Sequence, residues 1–328
     1  MVQGESLKGV CMKTVGFVIS RKENEKRRAL CLEDIEKIRH KDMLFFEKGY
    51  FNDFGISDDE IEAHGCKTVS REEVLKKDII CDPKVGDAQY LEILKNQTVF
   101  GWTHAVRNRD ITDRLVSGSL TSYAWEDMFE KGRHIFYRNN EIAGEVAVLH
   151  AYQIFGKMPY ETKVALLGRG NVGNGALKIL TLLGADVTIY GRRQEELFRQ
   201  ELDRYDVIVN AVLWDTKRKD HIVSKADLLR MKKGSMIVDI SCDKNGAVES
   251  SVPTTLDEPV YYESGVLHYV VDHTPTIVFK TATREISKQV VRFLDLLIEG
   301  KEDIILKDAK NIECGKIIDK RIIEFQSR

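Results

Sequence analysis

The chain has 328 residues, 43% of them hydrophobic and 31% charged, with a formal net charge of −2. That length suits two domains of ordinary size. The near-neutral balance argues against a polyanion-binding surface, and no apolar run approaches the length of a membrane span, so small-molecule chemistry is the expectation.

Six cysteines (Cys11, Cys31, Cys66, Cys81, Cys242, Cys314) lack C-x-x-C pairing and zinc-like spacing. They read as reduced cytoplasmic thiols, and no metal site is expected. Residues 1–11 lack the apolar segment of a signal peptide, and Met12-Lys13-Thr14 would make a natural start. They are expected to be an extension of little structural weight, and secretion is not expected.

Short apolar strands alternate with amphipathic helices almost from end to end, which predicts α/β layers. Val15–Ile19 reads as a strand, Leu32–Ile38 as a helix and Met43–Phe46 as a second strand. Ser57-x-x-Glu60 and Ser70-x-x-Glu73 have the form of capping boxes that start helices. Asp78–Cys81 is a strand closed by Pro83, and Gln97–Trp102 and Leu120–Trp125 continue the pattern. From Ile142 to Phe155 the pattern is helical, with Ala143, Gly144 and Ala147 on one side, as suits a helix connecting two domains.

The next strand, Val164–Leu167, ends in Gly168-Arg169-Gly170-Asn171-Val172-Gly173, and a helical pattern follows to Leu183. In a dinucleotide fold these glycines make a tight turn, admit a pyrophosphate to the backbone and pack helix against strand. The phosphates rest on unpaired N–H groups at the positive end of the helix. Strands at Val187–Tyr190, Val207–Val212 and Met236–Ile240 complete the order such a site needs, with Val266–Val271 a last candidate. The chain leaves this domain near Pro275. The helix from Arg284 to Ile298, apolar at Ile286, Val290, Val291, Phe293, Leu294 and Leu297, is expected to return to the first domain.

The predicted fold is therefore α/β: two Rossmann-like domains, each a mostly parallel sheet flanked by helices, with a cleft between them. Residues 12–141 with 276–328 would form a discontinuous substrate domain, and residues 142–275 the dinucleotide domain. An NAD site usually places Asp or Glu at the end of the second strand, to hold the ribose 2′-OH. Here the strand ends Tyr190-Gly191-Arg192-Arg193. Two guanidiniums suit the 2′-phosphate dianion, and Arg169 adds a third, which points to NADP(H) rather than NAD. The duller reading makes Arg192 and Arg193 solvated residues at a helix start.

Ligands bind at the carboxyl ends of parallel strands, so chemistry is sought there. Arg27 and Arg28 follow the first strand, Lys84 the Ile79–Cys81 segment, His104 the segment ending in Trp102, and Asp243 the segment ending in Ile240. The set suits reduction of a keto acid or of its imine. Arginine clamps a carboxylate, lysine binds it or polarises the adjacent oxygen, and imidazole moves a proton near neutral pH. Each has a plainer alternative: Arg27 as a surface residue, Lys84 as a solvated lysine, His104 as a packed histidine, Asp243 as the cap of a turn with Lys244-Asn245-Gly246.

With these residues in place, the chain resembles the alanine dehydrogenase family, whose relatives include transhydrogenases and saccharopine-forming enzymes. Glu25-Lys26-Arg27-Arg28-Ala29-Leu30 is similar to its Glu-x-Arg-x-Ala-Leu motif and singles out Arg27 over Arg28. Trp102-Thr103-His104-Ala105, Glu141-Ile142-Ala143-Gly144, Asn210-Ala211-Val212-Leu213 and Ser235 to Asp243 also match, and Asp243 falls on the family aspartate. Val271-Asp272-His273-Thr274-Pro275 resembles its Asn-Met-Pro segment, with His273 in place of methionine. The context of Lys84 departs from the family's, as does the arginine pair after Gly191.

The resemblance implies that Arg27 and Lys84 hold the carboxylate of pyruvate, that His104 moves the proton and that Asp243 supports the amine or imine. An NADPH-dependent branch of the family condenses pyruvate with the side-chain amine of ornithine, or less readily lysine, and reduces the imine. A homo-oligomer is implied too, a tetramer by analogy. An NADP-using alanine dehydrogenase, a saccharopine-type enzyme and a non-catalytic NADP-binding regulator remain open alternatives. The anchor for the far end of a diamino acid is not evident, with Glu126, Asp127, Glu141 and Asp272 as candidates.

Overall fold

The computed structural model describes residues 12–215, 218–243 and 246–328. The extension expected over residues 1–11, and the Lys244-Asn245 part of the expected turn, lie outside the described residues. In chain order the strands are β1 (Val15–Phe17), β2 (Leu44–Glu47), β3 (Lys67–Val69), β4 (Ile79–Cys81), β5 (Thr98–Gly101), β6 (Thr121–Ala124), β7 (Phe129–Glu130) and β8 (Arg133–His134). They continue with β9 (Lys163–Leu167), β10 (Asp186–Tyr190), β11 (Val207–Asn210), β12 (Met236–Asp239), β13 (Val260–Glu263), β14 (Val266–Tyr269), β15 (Lys310–Glu313) and β16 (Lys316–Ile317). The chain divides into two compact units, one running to Phe136 and resuming at Phe279–Arg328, the other Tyr137–Val278.

In the first unit the strand order is β16-β15-β6-β5-β4-β1-β2-β3. The strands from β3 to β6 run parallel, and β15 and β16 close one edge antiparallel. β1 and β4 are buried on both faces, as parallel strands covered by helices must be. On one face Phe17 stacks on Phe46 at 4.6 Å, and Phe100, Trp125 and Phe293 extend the same core. The other face packs Val18, Ile80, Val99 and Leu115. Ser57 and Glu60 form the expected capping box, and Ser70 accepts the Glu73 N–H.

In the second unit the order is β10-β9-β11-β12-β14-β13, parallel except for β13. Helices 137–155 and 171–182 cover one face through Ala147, Val148, Ala151, Ala176 and Leu180.

Several boundaries differ from expectation. The helix expected from Ile142 begins at Tyr137, because Arg138 pairs with Glu141 and Glu145 and Asn139 is buried, which its polar sequence conceals. The helix expected from Arg284 begins at Phe279, and Leu32–Lys37 is a 3₁₀ helix. β11 stops at Asn210 because the Asn210 side chain, rather than a neighbouring strand, accepts the Val212 N–H at 3.2 Å. β13 and the β15–β16 hairpin were not anticipated.

Candidate active site

The glycine loop after β9 carries two kinds of glycine. Gly168 has φ +100, and a Cβ there would lie 2.7 Å from the Ala211 carbonyl oxygen; one on Gly173 would lie 2.6 Å from that of Gly168. Both are required by the fold itself. Gly170 has φ −79 and nothing within 4 Å of the Cβ position, so the protein's own packing places no demand for glycine there. The open space suits a pyrophosphate approaching the backbone. The helix from Asn171 has no side-chain cap, which leaves its first-turn N–H groups, including that of Val172, for an anionic ligand. Gly144 and Gly175 seat this helix: a Cβ on either would lie 2.0 Å or less from a carbonyl oxygen of the facing helix.

At the end of β10, Gln194 accepts the Gly191 N–H at 3.0 Å and fixes the turn that presents Arg192 and Arg193. Both are exposed, as is Arg169. Among the described residues none of these three has a hydrogen-bond or ion-pair partner, whereas Arg204 pairs with Glu201 and Arg218 with Glu195 and Asp220.

The ends of β11 and β12 are joined by a buried polar network. Asp239 accepts from the Asn210 amide at 2.8 Å, from the Ser251 hydroxyl, and from the N–H groups of Ser241 and Cys242 at 3.2 Å. Burial raises its pKa, against the hydrogen bonds that favour the charged form. The network shapes the loop that carries Asp243, with Cys242 in the left-handed region at φ +51. Asp243 is half-buried, and its carbonyl accepts the Gly246 N–H at 2.9 Å. Asp239→Ala strands the Asn210 and Ser251 donors, and is expected to cost about 1–3 kcal/mol in denaturant unfolding.

In the first unit Arg27 is not a surface residue. It is 4% exposed, and it grips Glu25 with Nε donating to Oε1 at 2.8 Å and Nη2 to Oε2 at 2.6 Å. Its guanidinium lies 5.6 Å from the Trp102 ring centroid. Burial alone would raise the Glu25 carboxyl, but the Arg27 charge and hydrogen bonds outweigh it and hold the pKa at about 2. Arg28 is fully engaged elsewhere, donating to the Tyr50 and Arg27 carbonyls and to Asp53 at 3.0 Å. The segment is anchored to helix 279–298: Thr283 and Ser287 hydroxyls accept the N–H groups of Arg28 and Cys31 at 2.9 and 2.8 Å.

Lys84 follows β4 in a loop built by Asp82, whose carboxylate is buried and accepts from the Lys84 N–H and the Tyr90 hydroxyl, each at 2.8 Å. Burial pushes Asp82 up to about 6. Burial also lowers the Lys84 pKa, and the Arg27 and Lys22 charges lower it further, against Asp87 and Glu25. The Gly86 N–H donates to the Trp102 carbonyl at 3.1 Å, and a Cβ on Gly86 would lie 2.4 Å from the Thr103 carbonyl oxygen. This close approach sets the Lys84 loop against the loop carrying His104.

His104 is exposed, not packed, and its backbone is left-handed at φ +52. Glu126 holds that conformation, accepting the N–H groups of Thr103 and His104 and the Thr103 hydroxyl. Glu126 is thus a clamp on the His104 loop. The other anchor candidates are engaged as well: Asp127 with Arg321 and Glu141 with Arg138, both at 2.8 Å, and Asp272 with His273. Arg27, Lys84 and His104 therefore share the strand ends of the first unit, and Asp243 stands at a strand end of the second. Sequence reading missed Asp82 and the positioning roles of Glu25 and Glu126, the carboxylates that hold the other three.

Against known proteins, the model of the alanine dehydrogenase/PNT C-terminal domain matches residues 191–323, and that of the NAD-binding domain of D-isomer specific 2-hydroxyacid dehydrogenases matches residues 127–245. An N(5)-(carboxyethyl)ornithine synthase of Clostridium botulinum is 31% identical, covering 89% of this chain and 99% of its own. This chain belongs to the alanine dehydrogenase/transhydrogenase family. A second N(5)-(carboxyethyl)ornithine synthase, from Lactococcus lactis, is 29% identical, covering 93% of this chain and 97% of its own. Alanine dehydrogenase 1 of Staphylococcus aureus is 26% identical, with 92% of each chain covered. Among solved structures an L-alanine dehydrogenase superposes with TM-score 0.82 at 21% identity, covering 96% of this chain and 99% of its own. A Sinorhizobium meliloti transhydrogenase gives 0.77 at 19% identity, covering 93% of this chain and 100% of its own. Like other members of the alanine dehydrogenase family, the protein is an oxidoreductase that uses a nicotinamide dinucleotide. Among the described residues no helix is long and apolar enough to cross a membrane.

Proposed function

We propose that the protein condenses pyruvate with the side-chain amine of ornithine or lysine and reduces the resulting imine with NADPH. The observation that carries this reading is the buried Arg27, held as a fork by Glu25 beside Lys84, together with similarity along nearly the whole chain to two N(5)-(carboxyethyl)ornithine synthases. Arg27 and Lys84 bind the pyruvate carboxylate, leaving the keto carbon for attack by the amine. Loss of water gives the imine, and His104 moves the protons that this requires. Asp243 supports the amine and then the imine. The bound reduced nicotinamide supplies the hydride to the imine carbon. A symmetric oligomer, a tetramer by analogy, belongs to the same reading.

The NADPH preference rests on Arg169, Arg192 and Arg193. Charge-assisted bonds to a phosphate contribute about 1.5–3 kcal/mol each. The double substitution Arg192→Ala with Arg193→Ala is therefore expected to lower the ratio of kcat/KM for NADPH over NADH by about 10²-fold or more. An unaltered ratio would remove the phosphate clamp. The substrate assignment is tested by following NADPH oxidation with pyruvate and, separately, ornithine, lysine and ammonia. Turnover with ammonia alone would make the protein an NADP-using alanine dehydrogenase, as its 26% identity to that enzyme also allows.

A further inference from the structure

A diamino acid reaching this site brings a zwitterion, an α-ammonium and an α-carboxylate, at its far end. The four carboxylates considered from the sequence all have other partners, yet the loops around Lys84 hold one more pair of opposite charge. Lys22, in the loop after β1, donates from Nζ to Asp87 at 3.1 Å, and Asp87 lies 3.5 Å from the Lys84 ammonium. Asp87 also lies within the electrostatic reach of His104. One carboxylate thus meets the group assigned to pyruvate and an outer lysine, and feels the charge of the proton-transfer residue.

The pair has the properties of a subsite. The Lys22 and Asp87 side chains are 21% and 37% exposed, open to a ligand from solvent, whereas Arg27 and Glu25 are buried. A part-exposed ion pair contributes little to stability, so exchanging it for two pairs with a ligand costs little. Pyruvate, with a single carboxylate assigned to Arg27 and Lys84, makes no use of it. The backbone also fixes its place: Asp87 N–H donates to the Lys84 carbonyl at 3.0 Å, so Asp87 turns with the lysine loop.

We infer that Lys22 and Asp87 form the subsite for the α-amino-acid end of the amine substrate, Lys22 taking the α-carboxylate and Asp87 the α-ammonium. The inference rests on the proposed condensation and adds what selects a diamino acid over a simple amine.

The test uses matched amines in the full-length enzyme, with pyruvate and NADPH saturating. 1,4-Diaminobutane lacks the carboxylate of ornithine, and 5-aminopentanoate lacks its α-amine. Lys22→Ala is expected to lower the kcat/KM ratio of ornithine over 1,4-diaminobutane by about tenfold or more. Asp87→Asn is expected to lower the ratio of ornithine over 5-aminopentanoate by about the same factor. Each ratio is internal to one preparation, so a partly folded variant does not distort it. Both ratios holding within about twofold of the unsubstituted enzyme would overturn the subsite while leaving the condensation standing. Turnover of the unsubstituted enzyme with ammonia and with none of these amines would overturn both.

Discussion

Arg27→Ala is expected to lower kcat/KM for pyruvate by about 10²–10³-fold, the scale of losing a preorganised charge at the reacting group. It should also destabilise the fold, because the Glu25 side chain has no exposure and its Arg27 ion pair is lost. Breaking a buried pair by removing one partner costs about 3–5 kcal/mol. The two effects separate with pH. In the unsubstituted protein the Glu25 pKa is held at about 2, below the ordinary 4.5, so its pairing stabilises fully above about 4.5 and is lost as the pH falls toward 2. Without Arg27, burial dominates and raises the Glu25 pKa, so the variant should lose less stability on acidification over that window. Arg27→Lys keeps a charge but loses the fork, and should recover stability more than pyruvate binding. An unchanged response to pyruvate in a folded Arg27→Ala variant would leave the Glu25 pair with a structural role alone.

His104→Ala is expected to lower kcat by about 10²–10⁴-fold while NADPH affinity stays nearly intact. The side chain is exposed, so little packing is lost, and the clamp from Glu126 binds backbone rather than ring. His104→Asn controls for the left-handed backbone at φ +52, which asparagine tolerates better than alanine. If both variants turned over normally, the proton would have to be moved by another group.

What the sequence made legible follows the reach of local rules. Val164–Leu167 before Gly168-x-Gly170-x-x-Gly173 declares strand, turn and helix, because those demands are met within one segment of chain. Arg27, Lys84 and His104 were found because strand ends are predictable from apolar runs, with Pro83 closing the strand before Lys84. The carboxylates that hold them were harder to read. Glu126 lies 22 residues from His104, and only the parallel pairing of β5 with β6 brings the two together. Glu25 stands in the same charged stretch as Arg27, but a charged loop gives no sign that it is buried. Likewise Tyr137–Asn140 looks too polar to begin a core helix until Arg138 is seen to reach Glu145 along the same face. The β15–β16 hairpin is short and closes a sheet edge begun more than 180 residues earlier, beyond the range of any pattern.

The central claim is most directly tested by identifying the product of NADPH oxidation with pyruvate and ornithine labelled with ¹⁵N at the side-chain nitrogen. The account predicts one product carrying the label in a secondary amine between the ornithine chain and a carboxyethyl group, with no unlabelled alanine formed. Alanine as the product, or turnover that does not need the diamino acid, would contradict it.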